Sequence, residues 1–302
     1  MLLKSPLTDE DSCELISSIS SKFIIDKYKK LFDIDVSGYF KGQSEIFIYQ
    51  CKKSKLKFYL PSQIYGKPEF YKHFSKYSWY YRENKWEFNI ALTFIDKSKK
   101  VLEFGCGDAL FLDILKSANI ECAGVEINLS AIEKAKNKGH VIFNEELEIL
   151  SKHLKEQYDI ICSFQVLEHI NNLKLVIENL LKILKKGGYL IISVPNNDSF
   201  IKKDQEGVLN MPPHHMILWD ETSLRSLESL FNLKIKDIFF EPLQEEHYEG
   251  YYRIISDTFV NKTKIFGKIL RRIIRPLGKI FISLISNRII GQNILVVYEK
   301  LE

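Results

Sequence analysis

One stretch decides the fold of this chain: Val101-Leu102-Glu103-Phe104-Gly105-Cys106-Gly107-Asp108-Ala109-Leu110-Phe111-Leu112. Residues 100–104 read as a short, mostly apolar strand of the kind that is buried in a parallel sheet. Residues 109–116 carry apolar side chains at helical spacing. The two glycines between these runs allow a tight turn and let a ligand approach the backbone closely. The stretch therefore predicts a strand, a glycine turn and a helix, which together form a nucleotide pocket.

The spacing of the two glycines decides which nucleotide the turn suits. A dinucleotide-binding turn follows the pattern G-x-G-x-x-G/A, and Leu110 stands where that pattern needs its last small residue. NAD is therefore disfavoured. The turn reads acid-x-Gly-x-Gly-x-small instead, with Glu103 two positions before the first glycine and Ala109 at the small position. This pattern resembles motif I of the class I S-adenosylmethionine (SAM) dependent methyltransferases.

A second acidic residue supports this interpretation. Glu126 ends the next apolar run and lies nineteen positions after Gly107. A carboxylate at the tip of the second strand is placed to accept hydrogen bonds from ribose hydroxyls, about 20 residues after the glycine turn, as nucleotide-binding folds require. The alternative is an ordinary surface glutamate at a strand end, and the acidic glycine turn upstream disfavours it.

The rest of the chain fits the same architecture. From residue 100 onward predicted strands and helices alternate, which indicates a doubly wound parallel sheet. The predicted strands are 100–104, 122–127, 140–143, 158–163, 189–194, 233–240 and 294–298. We expect an α/β fold with a mostly parallel, seven-stranded, Rossmann-like methyltransferase sheet whose last two strands pair antiparallel at one edge. One helix is predicted over residues 70–95.

Four parts are predicted along the chain. Residues 1–75, aromatic and rich in lysine, form an N-terminal cap that could close over a ligand; residues 76–257 form the methyltransferase core. Residues 258–290 form a basic amphipathic helical insertion, and residues 291–302 return to the core as its last strand.

The insertion is identified by its charge pattern. Between Thr258 and Tyr298 the chain has no acidic residue but eight Lys and Arg, although its net charge is only +4. Apolar residues recur there at helical spacing, so we expect a helix kinked at Pro276. Such a helix suits an anionic membrane surface or another acidic partner. Packing on the fold is the alternative, and nucleic acid is the least expected partner.

Two further motifs narrow the family. They resemble the V-L-E-H-I and P-x-H-H-x-x-x-W motifs of one methyltransferase branch, the domain 23 type. The first is Val166-Leu167-Glu168-His169-Ile170, and the second is Pro212-Pro213-His214-His215-Met216-Ile217-Leu218-Trp219. His169 is a candidate general base for a hydroxyl, or a structural histidine that orients its loop. His215 is a second candidate base or an acceptor-positioning residue, with a surface turn as the alternative. Trp219 is expected to anchor the packing.

The resemblance also implies a set of cofactor-binding residues. Glu103 would lie near the methionine amino group, the two glycines under the cofactor backbone, Glu126 on the ribose, and Gln165 by the sulfonium. The full set of expected cofactor residues is Glu103, Gly105, Gly107, Asp108, Glu126, Ile127, Asn144, Glu145 and Gln165, with Asn144 and Glu145 beside the adenine.

Two metal sites of this branch are not expected. In ubiquinone-biosynthesis O-methyltransferases the segment reads E-x-x-E-H and is associated with a divalent metal, but Gln165 replaces the first acid here, so we predict no required metal. The branch often carries a Cys-x-x-Cys ribbon near its N-terminus. At those places this chain has Ser5-Pro6-Leu7-Thr8 and Cys51-Lys52-Lys53-Ser54, so a structural zinc is not predicted.

These observations predict a SAM-dependent methyltransferase that acts on oxygen. The run after the fourth core strand lacks the Asn/Asp/Ser-Pro-Pro-aromatic motif with which methylases of planar amines hold their nitrogen. The expected acceptor is a small molecule, a sugar or a glycolipid, as in polysaccharide biosynthesis; a quinone-like phenol and a small carboxylate are alternatives. A membrane-associated scaffold of the same fold without catalysis is the alternative from another class.

Five scattered cysteines and an N-terminus without a signal peptide's apolar core predict a cytoplasmic protein, peripheral on a membrane if the insertion binds lipid.

Overall fold

The computed structural model describes residues 3–8, 10, 12–74, 76–77, 85–204, 207–263 and 281–301. The strands in this part of the chain are β1 (Cys13–Ser20), β2 (Glu45–Cys51), β3 (Lys57–Leu60), β4 (Lys100–Phe104), β5 (Glu121–Val125), β6 (Ile142–Phe143), β7 (Tyr158–Phe164), β8 (Leu184–Pro195), β9 (Ile217–Leu218), β10 (Leu233–Pro242) and β11 (Ile290–Lys300). The α-helices described are α1 (Ser21–Phe32), α2 (Pro68–Lys72), α3 (Trp86–Leu92), α4 (Leu110–Ser117), α5 (Leu129–Asn137), α6 (Leu147–His153), α7 (Leu173–Ile183), α8 (Glu221–Leu230) and α9 (Tyr248–Thr263).

The main sheet has seven strands in the order β10-β11-β8-β7-β4-β5-β6. Strands β4 to β8 run parallel, and β11 pairs antiparallel with both β8 and β10. The predicted doubly wound, mostly parallel fold is therefore confirmed, together with its antiparallel edge. The strand order reverses at β4, and in such sheets ligands bind at the carboxyl ends of the strands beside this switch point.

The central strands are buried on both faces. In β4, Val101 and Leu102 are fully buried, and they belong to different apolar clusters on opposite sides of the sheet. Ile160 and Ile161 of β7 are divided between the two clusters in the same way. Because successive strand residues point to opposite faces, such an uninterrupted apolar run needs a layer of helices on each side.

The N-terminal part forms a second sheet that the sequence did not predict. Strands β1, β2, β3 and β9 pair antiparallel in that order. Strand β9 belongs to the predicted core segment 76–257, yet Ile217 pairs with Phe58 and Leu218 with Lys57. The cap and the core therefore share one hydrogen-bonded sheet.

Several hydrogen bonds join the loop before β9 to this N-terminal part. The amide of Tyr59 donates to the carbonyl of Met216 at 2.9 Å, and the amide of Gly66 donates to the carbonyl of Pro213 at 2.6 Å. The hydroxyl of Tyr71, in α2, donates to the carbonyl of His214 at 3.3 Å. The loop that carries the two adjacent histidines is thus held by three segments of the cap.

One predicted helix is wrong. The single helix over 70–95 is interrupted, because α2 ends at Lys72 and the backbone of Lys85 is extended, with φ −108° and ψ 139°, where α3 begins. Much of the predicted basic insertion lies outside the described residues, including Pro276. Its described parts are the last turns of α9, up to Thr263, and residues 281–290, which end at the first residue of β11. Among the described residues, no helix combines the length and the apolarity needed to cross a bilayer.

The four positions of the degenerate ribbon do converge. Ser5, Cys51 and Ser54 are fully buried, and the hydroxyl of Thr8 lies 3.6 Å from the sulfur of Cys51. Burial raises the pKa of the Cys51 thiol, but hydrogen bonds with Ser54, Ser5 and Thr8 outweigh it and lower that pKa to about 7. Hydroxyl groups occupy three positions where the resembling proteins carry thiolates.

We expect the combined variant Ser5→Cys, Thr8→Cys, Ser54→Cys to bind one zinc ion, because four thiolates at this spacing match a structural zinc site. Metal analysis of the dialysed protein and its melting temperature with and without zinc would measure this. The matched control carries the same three changes and Cys51→Ala. Equal zinc content in the two proteins would show that the four positions do not form a common site.

Candidate functional site

A cavity of about 1070 Å³ opens at the carboxyl ends of β4, β5 and β7. Its walls come from the glycine turn after β4, the loops after β5 and β7, the N-terminal cap and the loop before β9. This is the position that the switch point of the sheet predicts for a ligand.

The glycine turn forms the floor of this cavity. Gly105 has φ +77°, and a Cβ atom on it would lie 2.4 Å from a methyl group of Val166, so a side chain is excluded by both conformation and space. Gly107 has φ +50°, and a Cβ atom there would meet no atom within 4 Å. The space above Gly107 is therefore open for a ligand to lie against the backbone.

Glu126 ties this turn to the second strand. One carboxylate oxygen accepts a hydrogen bond from the amide of Gly107 at 2.8 Å. The other accepts from the amides of Ile127 and Asn128, each at 2.8 Å. The carboxylate thus stands at the cavity wall beside the glycine turn, where the sequence predicted it, and Ile127 next to it is 76% exposed.

Glu103 is a buried acid without a partner among the described residues. It is only 4% exposed, and its Oε2 atom makes no hydrogen bond with that part of the chain. Burial raises the pKa of this carboxyl group to about 8, opposed by the nearby charge of Lys85. A buried acceptor that lines a cavity in this way is suited to a ligand that brings a donor or a positive charge.

The other predicted cofactor residues divide into two groups. Asp108 lines the cavity and pairs with Lys134 at 2.9 Å, and Gln165 lines it with its amide nitrogen 3.2 Å from the hydroxyl of Ser193. Asn144 and Glu145, by contrast, are exposed after β6 and are not part of the cavity wall.

Lys85 is a cavity residue to which the sequence analysis gave no role. It lines the wall near Glu103 and Glu168 and lowers the pKa of both carboxyl groups by its charge. Its only sequence signal was its position in the Lys85-Trp86-Glu87-Phe88 stretch, next to the first core strand.

Three histidines form a cluster on the cavity wall. The predicted residues His169 and His215 come together from separate loops, with ring centres 5.0 Å apart. His214 joins them, and its ring stacks on that of His215 at 4.5 Å. The sequence analysis assigned no role to His214, because its side-chain direction depends on how the loop folds.

We call His169, His214 and His215 the histidine cluster. A hydrogen bond at Nδ1 holds each of the three rings. His169 Nδ1 donates to the carbonyl of His214 at 2.6 Å, and His214 Nδ1 donates to the carbonyl of Leu209 at 2.9 Å. His215 Nδ1 donates to the side-chain oxygen of Asn210 at 3.1 Å. Because each acceptor is an oxygen, each Nδ1 carries the proton and each Nε2 presents a lone pair.

Burial keeps these rings neutral. It lowers the pKa of His169 to about 4, and it lowers the pKa of His215 well below the ordinary value, with the neighbouring imidazoles adding to the effect. Glu168 lies 1% exposed beside them, and burial raises the pKa of its carboxyl group to about 8. The cluster therefore offers neutral hydrogen-bond acceptors at the cavity wall.

The far end of the cavity is rich in acidic groups. Glu87 and Glu241 are buried there, and burial together with the charge of Glu87 raises the pKa of Glu241 to about 7. The cation at this end, Arg253, is held by Asp204 through two contacts of 2.9 Å. The carboxyl groups of this wall are therefore suited to hydrogen bonds with a ligand.

Known proteins resemble this chain as follows. A family model described as a methyltransferase domain matches residues 78–237. A ubiquinone biosynthesis O-methyltransferase of Coxiella burnetii is 32% identical over 108 residues, which are 34% of this chain and 46% of that protein. One from Pelagibacter ubique is 24% identical over 185 residues, 57% of this chain and 76% of that protein. The chain thus spans about half the length of the first of these relatives. The crystal structure of a SAM dependent methyltransferase from Archaeoglobus fulgidus aligns with a TM-score of 0.48 at 20% identity, covering 70% of this chain and 90% of that one.

We expect Glu103→Gln to stabilise the ligand-free protein at alkaline pH. Since the pKa of Glu103 rises from an ordinary 4.5 to about 8 on folding, the unfolded chain releases this proton first. The free energy of unfolding therefore falls as the pH rises from 4.5 to 8. The variant escapes this loss and should gain about 2 kcal/mol or more at pH 8.5, with little gain at pH 4.5.

Urea unfolding of both proteins at the two pH values measures the difference. Glu148→Gln, an exposed change in α6, is the matched control and should show no pH-dependent gain. A gain for Glu103→Gln that is equal at both pH values would contradict the assigned burial of the charge.

Proposed function

This chain belongs to the methyltransferase-domain family of SAM-dependent enzymes, and on that premise we propose that it transfers a methyl group to an oxygen atom of a small-molecule, sugar or glycolipid acceptor. The observation that carries the proposal is the bond between the amide of Gly107 and the carboxylate of Glu126. It places an open glycine turn and an acid at one end of a cavity whose other wall is the histidine cluster.

The residues present fit the cofactor. The buried carboxyl group of Glu103 would receive the amino group of its methionine part, which supplies the donor and the positive charge that Glu103 lacks. Glu126 would bind the ribose, and the open space above Gly107 admits the cofactor chain. Asp108, Ile127, Asn144, Glu145 and Gln165 complete the proposed contact set. Of these five residues, Asn144 and Glu145 are outside the cavity wall and would reach only the rim of an adenine ring.

The histidine cluster would act on the acceptor. When bound, SAM supplies an electrophilic methyl group, and transfer to the acceptor oxygen breaks its carbon–sulfur bond and leaves S-adenosylhomocysteine and a proton. We assign His169 to the hydroxyl group of the acceptor: its neutral Nε2 atom would accept the hydrogen bond of that group and take its proton as the methyl group is transferred, while His215 would position the acceptor. Holding the oxygen in line with the methyl group at about 3–3.5 Å would supply much of the rate.

The acceptor is proposed to be uncharged at its reacting end. The buried Glu87, Glu168 and Glu241 line the cavity, and these three residues offer a small carboxylate no opposite charge. A sugar hydroxyl meets the carboxyl and amide groups of this wall with hydrogen bonds. A quinone-like phenol is the second candidate, favoured by the similarity to proteins named ubiquinone biosynthesis O-methyltransferases.

The basic segment 258–290 is proposed to bring the chain to an anionic membrane surface. Its support is the charge pattern of the sequence, with seven Lys and Arg from Lys262 to Lys279 and no acid. Each cation near anionic lipid contributes roughly 1 kcal/mol, so the segment would concentrate the chain where a glycolipid acceptor lies.

We expect Glu126→Ala to weaken the binding of S-adenosylhomocysteine by at least about 10-fold, since it removes the proposed ribose acceptor and frees the glycine turn. Isothermal titration calorimetry of the purified proteins measures the effect. Glu133→Ala, an exposed change in α5, should bind as the unchanged protein does. If Glu126→Ala binds S-adenosylhomocysteine as tightly as the unchanged protein does, the ribose assignment is wrong. If the unchanged protein does not bind it, the scaffold alternative is favoured.

We expect mass spectrometry to find a methyl ether when SAM is offered together with lipid-linked sugars in anionic vesicles. Neutral vesicles should give a lower rate if segment 258–290 binds anionic lipid. His169→Gln should reduce the rate at least about 100-fold, in the range of lost proton-transfer or positioning groups, whereas His153→Gln on exposed α6 should not. Product only from a quinol would select the second candidate, and equal rates in the two variants would contradict the role of His169.

A further inference from the structure

We propose that the histidine cluster is a binding site for a divalent transition-metal ion such as Zn²⁺. The inference rests on the same cavity as the proposed function but not on methyl transfer itself. One nitrogen of each of the three rings lies within 4.8 Å of those of the other two. All three residues are on the cavity wall.

The hydrogen bonds of the rings fit metal ligation. Histidine ligands of metals commonly donate their second ring N–H to a carbonyl or carboxylate oxygen, which fixes the ring and the tautomer. Here the carbonyls of His214 and Leu209 and the side chain of Asn210 receive the three Nδ1 protons. Asn210 is itself fixed, because its amide nitrogen donates to Asn197 at 2.6 Å. The tautomers and orientations of the rings are thereby fixed before any ion binds.

Glu168 places a carboxyl group beside the rings. Its Oε1 atom lies 4.0 Å from Nε2 of His169 and 4.0 Å from Nε2 of His215. Its Oε2 atom is buried and makes no hydrogen bond with the described residues. A cation bound by the ring nitrogens would be attracted by the ionised form of this carboxyl group.

The ligand set selects the kind of ion. Imidazole nitrogens suit zinc, cobalt, nickel and copper, whereas magnesium and calcium prefer oxygen. A tetrahedral zinc ion with bonds of about 2.0–2.1 Å sets its ligand nitrogens roughly 3.4 Å apart, so the rings would turn and draw closer together on binding. Three histidine ligands leave a fourth position for a ligand from the cavity, as in catalytic zinc sites. There an acceptor oxygen would bind the ion in place of the imidazole hydrogen bond described above.

The sequence analysis predicted no required metal because only Glu168 and His169 stood in one motif. The fold adds His214 and His215, which lie 45 or more positions later in the chain. The resulting set is rich in nitrogen and differs in chemistry from the E-x-x-E-H segment of the resembling enzymes.

Untagged protein, stripped with a chelator and dialysed, tests the proposal with Co²⁺ as the probe. We expect one equivalent to bind and to give the visible absorption of a four-coordinate ion, and zinc to displace it. His214→Gln and His215→Gln should each weaken binding at least about 100-fold, and Asn210→Ala about 10- to 100-fold because it releases the His215 ring. The exposed His153→Gln is the matched control and should bind as the unchanged protein does.

Circular dichroism and the melting temperature of each variant establish that it is folded, and Asn210→Ala keeps all three imidazoles. Absence of a bound equivalent in the unchanged protein overturns the inference. Binding that the two cluster variants leave unaltered also overturns it. S-adenosylhomocysteine titration of the stripped protein separates the two proposals: cofactor binding without metal binding removes only this inference, and metal binding without cofactor binding removes only the proposed function.

Discussion

The carboxylate of Glu126 is the constraint on which the site depends. It accepts hydrogen bonds from the turn after β4 and from the two residues that follow it after β5. The amides of Gly105 and Cys106 also donate to the carbonyl of Val125 at the end of β5, so backbone and side chain together join the two loops. The turn has backbone angles that suit glycine, and these bonds hold that conformation. The cavity floor is therefore formed before any ligand binds.

The histidine cluster depends on several separate elements of the fold. No single element carries it: His169 follows β7, His214 and His215 precede β9, and Tyr71 reaches them from α2. Burial makes each imidazole a poor proton acceptor, which favours roles as hydrogen-bond acceptors or metal ligands. In the proposed function, backbone and carboxyl groups would thus face the cofactor and neutral nitrogens would face the acceptor.

The sequence predicted the features that depend on local chemistry. Strand β4, its glycines and Glu126 were predictable because apolar runs, positive φ angles and acid spacing are written in consecutive residues. The N-terminal sheet was missed because β1 is mostly exposed and shows no apolar alternation, and β9 is two residues long. The expectation for Asn144 and Glu145 came from family position alone, and the structure leaves both outside the cavity wall. The histidine cluster required tertiary structure, since only the fold unites its loops.

The pairing of β9 with β3 has a mechanical consequence. Strand β9 of the N-terminal sheet begins two residues after His215. Gly66 and Tyr71 donate hydrogen bonds to the same loop. Because the cap is hydrogen-bonded to this loop, the cap does not open as a separate lid. Any displacement of the cap also moves the histidines. In the proposed function, the cap and the acceptor-binding histidines would therefore move as one mechanical unit.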